Sequence, residues 1–356
     1  MKQETKKART PFSLTAEIRA RILPKKKGRV CIGGYAGCGN LGDDAILQGV
    51  LSTRMKAKDP ALITVLSGCP RRDTRRFGVR CVNRKNPFAV FLALLRSEKF
   101  LCGGGSLLQN QTGDLSLYYY LGLLWLAQRL NCKTSLLAGG IGPLIGTKAQ
   151  QQVVDRLNSC YKVEVRDTHS YRLLCSLGVR KELLCEVDDP ALCLPLPPPS
   201  RLSFLLWEHQ IAPSQRYMCI IAQPPRTEFD RSAKILGATL RAFCHAHGLL
   251  PLFAVFDPAH DTEFTCAIMK KCDGKLIRLR EAADATALLQ GAQLAVCMRL
   301  HALILSQLAS TPAVGIPPLP LDQKMESFCR SAAFPCLPLA DQSIVSLTSA
   351  LEEIVF

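Results

Sequence analysis

Short apolar runs alternate with amphipathic stretches along most of the chain. Apolar runs of strand length in its first half are Val30–Gly34, Leu62–Ser67, Phe100–Gly103, Ser135–Gly139 and Val163–Arg166. Apolar residues recur with a helical period between these runs, as at Asp44–Met55, Leu115–Leu130 and Lys148–Ser159. This alternation predicts a parallel sheet whose strands are joined by crossover helices.

A proline-rich segment divides this pattern in two. Leu194–Ser200 (LPLPPPS) can neither continue a helix nor pair in a sheet, so it is predicted to be a linker. After it, strands are expected at Tyr217–Ala222, Leu249–Phe256, Lys275–Arg278, Leu294–Cys297 and Ala313–Ile316. We therefore predict an α/β protein with two Rossmann-like domains, residues 29–198 and 199–340, that face each other across a cleft. Residues 1–28 are predicted to be a basic tail, and 341–356 a C-terminal helix.

The formal charge of +16 is concentrated in two stretches. Residues 1–27 carry nine Lys and Arg against two acids, and Pro70–Lys85 carries seven against one. Such patches suit an anionic membrane surface, although a solvated tail and a solvated loop explain each patch equally well. No aromatic-interleaved RNA motif or recognition-helix pattern accompanies the charge, so binding to nucleic acid is not predicted.

The 17 cysteines are scattered singly, mostly inside apolar runs, and no C-x-x-C occurs. This pattern is typical of reduced thiols in a cytoplasmic protein and predicts no structural metal site. No apolar segment follows the basic N-terminus, so a signal peptide is not expected. Leu115–Leu130 is too short and too interrupted to span a bilayer, and it predicts a buried or interfacial helix.

The loop after the first predicted strand contains Gly37-Cys38-Gly39-Asn40-Leu41-Gly42, a formal G-x-G-x-x-G. The motif alone is a weak signal, and Asp43 and Asp44 follow it in what would be the first helical turn. Two carboxylates there repel a pyrophosphate, so no nucleotide cofactor is expected. They suit a role as acceptors for sugar hydroxyls or as a general base; a plain acidic helix start remains an equal alternative.

Two more glycine-rich stretches follow predicted strands, Cys102–Asn110 (CGGGSLLQN) and Gly139–Pro143 (GGIGP). Bare glycine backbone lets a ligand approach closely. In the first stretch Gly104 and Gly105 supply that backbone, while Ser106 and Gln109 supply neutral polar groups. Together the loops predict a cleft lined by main chain.

Cationic side chains follow other strands. Arg166 (VRDTHS) ends one strand, Arg299 and His301 (MRLHALI) open a helix, and Lys324 (LDQKMESF) follows the last strand. Parallel strands end at one edge of a sheet, so these groups are expected to face the cleft and to bind an anion. The pair Asp188-Asp189 (EVDDPAL) predicts a turn, with a supporting role in the site as the alternative.

Seven motifs in this order resemble those of the polysaccharide pyruvyltransferase family, and in particular its branch that anchors bacterial cell-surface layers. They are GGYAGCGNLGDDAIL, CGGGSLLQN, GGIGP, VRDTHS, DDPAL, MRLHALI and LDQKMESF, within residues 29–335. The family usually has aromatic residues where Ala36 and Cys38 stand, and a Tyr-Asp-Pro-Lys where this chain has Leu321-Asp322-Gln323-Lys324. These departures bear on the identity of the acceptor.

The resemblance implies a GT-B-like fold and transfer of a pyruvyl group from phosphoenolpyruvate to two hydroxyls of a sugar, with release of phosphate. The acceptor would be an N-acetylhexosamine on a lipid-linked precursor of a secondary cell-wall polymer, at the cytoplasmic membrane face. Phosphoenolpyruvate would bind to Arg166, Arg299, His301 and Lys324. Asp43 and Asp44 would face the acceptor, with the loop residues Gly39, Asn40, Gly42, Gly104, Gly105, Ser106 and Gln109.

We expect His301 to assist phosphate departure or protonation, and Asp43 or Asp44 to deprotonate the acceptor. The alternatives are a GT-B glycosyltransferase that uses a nucleotide-sugar donor and a non-catalytic binding protein. The latter has no need to keep Arg166, Arg299, His301 and Lys324 together in one cleft.

Overall fold

The computed structural model describes residues 27–111, 113–318, 323–337 and 344–355. Most of the predicted basic tail therefore lies outside the described residues, as do Leu321 and Asp322 of the lysine motif. Two parallel sheets carry the fold, with helices on both faces of each.

The first sheet has seven strands in the order β3-β2-β1-β4-β5-β6-β7. Every pairing in it is parallel. Its strands are β1 (Val30–Gly33), β2 (Ile63–Ser67), β3 (Arg80–Asn83), β4 (Lys99–Leu108), β5 (Lys133–Ile141), β6 (Lys162–Val165) and β7 (Leu184–Glu186).

The second sheet has five parallel strands in the order β10-β9-β8-β11-β12. Its strands are β8 (Tyr217–Ile221), β9 (Leu250–Ala254), β10 (Lys275–Ile277), β11 (Leu294–Cys297) and β12 (Ala313–Gly315). Its core is almost wholly apolar, as expected for strands that are covered on both faces.

The α-helices are α1 (Leu41–Thr53), α2 (Pro70–Phe77), α3 (Pro87–Leu95), α4 (Asp114–Arg129), α5 (Thr147–Asn158), α6 (Thr168–Leu177), α7 (Pro199–Glu208), α8 (Phe229–His247), α9 (Pro258–Cys272), α10 (Ala282–Gln290), α11 (Leu300–Leu308), α12 (Gln323–Ala332) and α13 (Ile344–Val355). Most of the α-helices are crossovers between strands; α7 links the two sheets, and α12 and α13 follow the last strand.

All ten predicted strands are present, and the predicted α/β fold with two facing sheets is confirmed. β3 and β7 were not predicted, because both are short edge strands without a buried apolar run. The reading of Pro70–Lys85 as a solvated loop is wrong: this basic stretch forms α2 and β3. The domain boundaries at 198 and 340 stay predictions.

Helix α1 joins the two halves. Ile46 and Val50 pack into the core of the first sheet, while Leu41 and Ala45 belong to a core cluster of the second. The Leu41 amide also donates to the carbonyl of Phe256, at 2.9 Å, just beyond β9. The loop that precedes α1 is therefore held where the two sheets meet.

Each sheet has a topological switch point, where successive crossovers change direction. It lies between β1 and β4 in the first sheet and between β8 and β11 in the second. Ligands of such folds bind beyond the carboxyl ends of strands at these points. The loop between β1 and α1 and the CGGGSLLQN stretch lie at the first switch point, and Arg299 and His301 lie at the second.

Among the described helices, none is long and apolar enough to cross a membrane. The segment predicted at Leu115–Leu130 forms α4, which buries one side in the first core. All 17 cysteines are free thiols, and the described residues contain no cluster of potential metal ligands.

Candidate active site

Three of the predicted anion-binding groups come together beside β4: Arg166 and Lys324 both contact Ser106 Oγ, and His301 contacts Arg166. They come from both halves of the molecule: Arg166 follows β6, His301 lies in the first turn of α11, and Lys324 in the first turn of α12. Together with Asp189 we call these residues the Arg166 cluster. It lies between the two switch points.

Arg166 is the centre of this cluster. Its side chain is only 5% exposed. Nη1 donates to Asp189 Oδ2 at 2.7 Å and lies 3.3 Å from His301 Nε2, while Nη2 reaches Ser106 Oγ at 3.5 Å. Within the described residues the buried Nε has no acceptor. The guanidinium therefore keeps donor capacity for an anion beyond its single carboxylate partner.

Lys324 closes the cluster from the second half of the molecule. Its ammonium donates to Ser106 Oγ at 3.0 Å and to the Gly142 carbonyl at 2.7 Å. Both acceptors are neutral groups of the first half of the molecule. Lys324 links the sheets while adding positive charge beside Arg166.

His301 packs directly on the backbone at the start of α1. A Cβ on Gly42 would lie 2.4 Å from His301 Nδ1, so a side chain there would displace the ring. The last glycine of the formal G-x-G-x-x-G thus makes room for a histidine from the other half, a role that sequence reasoning did not assign. His301 Nε2 lies 3.6 Å from Asp189 Oδ2.

Asp189 lies between Arg166 and His301. From the sequence we predicted a turn at this residue, with a supporting role in the site only as the alternative. Burial by itself would raise its pKa, but hydrogen bonding to His301 and the charge of Arg166 hold the pKa well below its usual range. It also caps a 3-10 turn by accepting from the Ala191 amide at 2.9 Å. Its only sequence signal was the Asp188-Asp189-Pro190 turn.

Asp43 lies on the other side of the cluster. Burial raises its pKa to about 6, although His301 and Arg166 favour the charged form. Its carboxylate fits against Gly105, where a Cβ would lie 2.5 Å from Oδ1 and where φ is +79°. A carboxyl group with this pKa changes protonation near neutral pH, as a general base requires.

Asp44 points elsewhere. It is buried, accepts from the Gly37 amide at 2.9 Å, and forms an ion pair with Arg76 of α2. Arg76 also lies 3.5 Å from Glu281, beyond β10. Asp44 therefore holds the first loop and an inter-sheet contact together. The sequence analysis predicted one role for Asp43 and Asp44, whereas in the structure the two residues have different contacts.

Arg299 is engaged by carboxylates of α9 and its N-cap. Its guanidinium binds both oxygens of the fully buried Asp261, with Nε at 3.0 Å from Oδ2, and Nη2 lies 3.7 Å from Asp257. His260 approaches Asp257 within 3.0 Å. In this Arg299 cluster (Arg299, Asp257, Asp261 and His260), two acids face one arginine. Direct binding of a donor by Arg299 stays a prediction, and the contacts favour a supporting role.

The predicted loop residues lie near the cluster in different settings. Gly104, Gly105 and Ser106 are not in a loop, as predicted, but inside β4, because this strand extends to Leu108. Asn40 caps α1 by accepting from the Gly42 amide at 2.9 Å. Gly39 and Gly104 have φ of +98° and +86°, which other residues rarely adopt. Gln109 accepts from the Gln111 amide at 2.7 Å, within its own loop.

Arg84 and Tyr35 are further residues of this region that the sequence did not single out. The guanidinium of Arg84 lies 5.1 Å from the Tyr35 ring centroid and donates to the Gly34 carbonyl at 3.0 Å. It also donates to the hydroxyl of Tyr120 at 3.0 Å. Arg84 thus holds the backbone of the first loop, and the partly exposed Tyr35 lies at the surface of that loop.

A family model described as polysaccharide pyruvyl transferase matches residues 40–319, which include every residue of the Arg166 cluster except Lys324. The chain belongs to this family. It is accordingly a transferase of polysaccharide pyruvylation. No curated protein matches the sequence significantly.

Solved structures with the same fold are distant in sequence. The UDP-GlcNAc 2-epimerase of Methanocaldococcus jannaschii has a TM-score of 0.62 at 9% identity, covering 92% of each chain. Heptosyltransferase II of E. coli has a TM-score of 0.51 at 12% identity, covering 92% of this chain and 98% of its own. Anabaena Alr3699/HepE, in complex with UDP-glucose, has a TM-score of 0.55 at 10% identity, covering 91% and 98%. These similarities confirm the predicted GT-B-like fold.

Proposed function

We propose that this protein transfers the pyruvyl group of phosphoenolpyruvate to two hydroxyls of a sugar, forming a cyclic ketal and releasing phosphate. The observation that carries the proposal is that Arg166 and Lys324 both contact Ser106 Oγ while His301 Nε2 lies 3.3 Å from Arg166 Nη1. Phosphoenolpyruvate holds a phosphate and a carboxylate on one small frame, so its site needs several convergent cations. The Arg166 cluster brings the cations Arg166 and Lys324 and the imidazole of His301 to one place, which supports that requirement.

His301 is assigned to the phosphate end of the donor. Its Nε2 lies beside Arg166 Nη1 and near Asp189, so the ring faces the same place as the guanidinium. As phosphate leaves, negative charge develops on the bridging oxygen, and a histidine held there can donate a proton to it. General acid catalysis of this kind contributes about 10²–10⁴-fold.

The reaction balances with two protons delivered, one to the vinyl carbon and one to the leaving phosphate, and two removed from the sugar hydroxyls. A proton adds to the vinyl carbon of the donor, and a sugar hydroxyl attacks the resulting oxocarbenium-like carbon and loses its proton. The bond from that carbon to the phosphate oxygen breaks, and the second hydroxyl attacks and loses its proton to close the ketal. We assign the first deprotonation to Asp43, because its raised pKa suits proton uptake near neutral pH.

The acceptor that we propose is an N-acetylhexosamine on a lipid-linked cell-wall precursor, as in the branch that anchors cell-surface layers. The concentration of basic residues in two stretches supports a reaction at the anionic cytoplasmic face of the membrane. No nucleotide or metal cofactor takes part in this proposal.

The test is an acceptor screen with phosphoenolpyruvate as donor, following phosphate release and the product mass. We expect phosphate release that depends on the acceptor, with a product heavier by one pyruvyl ketal. Arg166→Gln serves as the inactive control. Release of UDP from UDP-sugars in the same screen, with no reaction of phosphoenolpyruvate, would establish the glycosyltransferase alternative instead.

A further inference from the structure

Large apolar side chains are exposed beside the candidate site, at the carboxyl edge of the first sheet. Leu115 is 88% exposed, Phe88 69%, Ile145 63% and Tyr118 41%. Single exposed apolar residues are ordinary, but a contiguous group marks a surface that binds a partner or a membrane.

The topology makes these side chains one group. Helices that follow parallel strands begin at the carboxyl edge of the sheet, so Phe88 in the first turn of α3 and Leu115 in that of α4 lie on the same rim. Asn110 ties Ile145 to this place, since its side chain bonds the Ile145 amide and carbonyl and also donates to Asp114. The two helices pack against each other.

Arg84 connects this rim to the loop that precedes α1, the helix that carries Asp43. Its carbonyl accepts from the Tyr119 hydroxyl of α4 at 2.9 Å, and its guanidinium donates to the Gly34 carbonyl at 3.0 Å. The exposed apolar residues therefore adjoin the side of the site that we assign to the acceptor.

Basic residues stand among the apolar ones. Arg71 in the first turn of α2 and Lys85 between β3 and α3 are exposed on the same edge. Asp114 is an acid of this rim, and it is hydrogen-bonded to Asn110. Lysine is depleted in protein–protein interfaces, whereas apolar side chains among basic ones are typical of surfaces that bind anionic lipid.

We propose that a rim surface, formed by Phe88, Leu115, Tyr118, Ile145, Arg71 and Lys85, binds an anionic lipid bilayer. The apolar side chains enter the boundary between headgroups and acyl chains, and the basic ones contact the headgroups. The inference deepens the proposed function, on which its purpose rests: a lipid-linked acceptor would reach Asp43 without leaving the bilayer.

The test is co-sedimentation of the full chain with vesicles of phosphatidylcholine, with and without phosphatidylglycerol. We expect binding to the anionic vesicles that weakens as salt is raised. The double variant Phe88→Ser with Leu115→Ser should lower the partition coefficient by about tenfold or more. Its matched control is Phe204→Ser with Trp207→Ser on α7, where the side chains are 48% and 73% exposed; it should bind as the unmodified protein does.

A second pair tests the charges. Arg71→Gln with Lys85→Gln should weaken binding to anionic vesicles, whereas Lys234→Gln with Lys271→Gln, in a basic groove of α8 and α9, should not. Equal losses from both pairs would mean unspecific attraction and overturn the assignment. Unchanged binding of the apolar rim variant would also overturn it, as would a dimer in solution that this variant abolishes while lipid binding persists.

Activity separates this inference from the proposed function. The rim variants should slow the reaction with a lipid-linked acceptor in vesicles more than with a soluble acceptor. If the rim is needed for vesicle binding but no acceptor receives a pyruvyl group, the proposed function fails and the rim surface stands.

Discussion

Two arginines of this protein stand in similar sequence positions, each beyond a strand of its own sheet, and have opposite surroundings. Arg166 pairs with Asp189, contacts His301, and shares Ser106 with Lys324. Arg299 is held by Asp261 and lies near Asp257, so its charge is already neutralised. A guanidinium at a strand end can bind a further anion only where it still has an N–H group without an acceptor, and among the described residues Nε of Arg166 meets that condition.

The largest expected effect is on the histidines of the two clusters. His301→Ala should lower kcat by about 10²–10⁴-fold, because proton donation to the leaving phosphate is lost. His260→Ala, at the exposed edge of the Arg299 cluster, should leave kcat within a factor of about two, as expected for a surface substitution. Steady-state phosphate release measures both, with circular dichroism as a folding check. Near-normal turnover of His301→Ala would refute its role.

The arginines themselves come next. Arg166→Gln should lower kcat/KM for phosphoenolpyruvate by about 10²–10³-fold, since charged hydrogen bonds are worth about 1.5–3 kcal/mol each. Arg299→Gln should act mainly on stability, because it leaves the buried Asp261 without its partner. Kinetics with varied phosphoenolpyruvate and thermal melts separate the two outcomes. Equal losses of kcat/KM with unchanged melting would abolish the distinction between the clusters.

Asp43 and Asp44 extend the comparison to neighbouring residues. Asp43→Asn should lower kcat by about 10²-fold, because the substitution removes the general base. Phosphoenolpyruvate should still bind, because Asp43 is not assigned a contact with it. In the unmodified protein the rate should fall as the pH drops through about 6, where Asp43 becomes protonated. Binding of phosphoenolpyruvate by calorimetry and a pH–rate profile check both points.

The stability of the folded protein distinguishes Asp43 from Asp44 independently of activity. Burial raises the pKa of Asp43 above the unfolded value of 3.8, so its ionisation lowers stability as the pH rises from about 4 to 6. Asp43→Asn should therefore be at least as stable as the unmodified protein at pH 8. Asp44→Asn should be less stable, since it weakens the ion pair with Arg76. The reverse order in chemical denaturation would contradict these assignments.

The smallest expected effect concerns Asp189, which we regard as a positioning residue. Asp189→Asn should lower kcat about tenfold by loosening His301. It should leave KM for phosphoenolpyruvate unchanged or lower, because a negative charge that competes for Arg166 is gone. A merely structural role predicts no such split between kcat and KM. Asp261→Asn is the matched control and should change stability alone.

The free energy of unfolding at acidic pH provides a second test of Asp189. Its pKa is lowered in the folded state, so its contribution is present above the unfolded pKa and is lost as the pH falls below it. Asp189→Asn should flatten that part of the curve. Denaturation at several acidic pH values measures the change.

Much of the fold was predictable because hydrophobic periodicity is local. Strands such as Tyr217–Ile221 are continuous apolar runs and were recognised, whereas β3 (Arg80–Asn83) has a charged end and exposed positions and was not. An edge strand is set by pairing with its neighbour, here Thr64–Ser67 of β2, and that pairing has no signature within the strand itself.

The hydrophobic pattern along the chain was enough to predict the parallel α/β architecture and the placing of Arg166, His301 and Lys324 at the edges where the sheets meet, because parallel strands end on one side. Which arginine pairs with which carboxylate depends on the packing of the folded chain. Asp261 lies 38 residues from Arg299, and Asp189 lies 23 from Arg166. Adjacent residues on a helix point about 100° apart, so only the packing of α1 could send Asp43 towards the cluster and Asp44 towards Arg76. Charge compensation is a matter of contact in space, and spacing along the chain does not fix it.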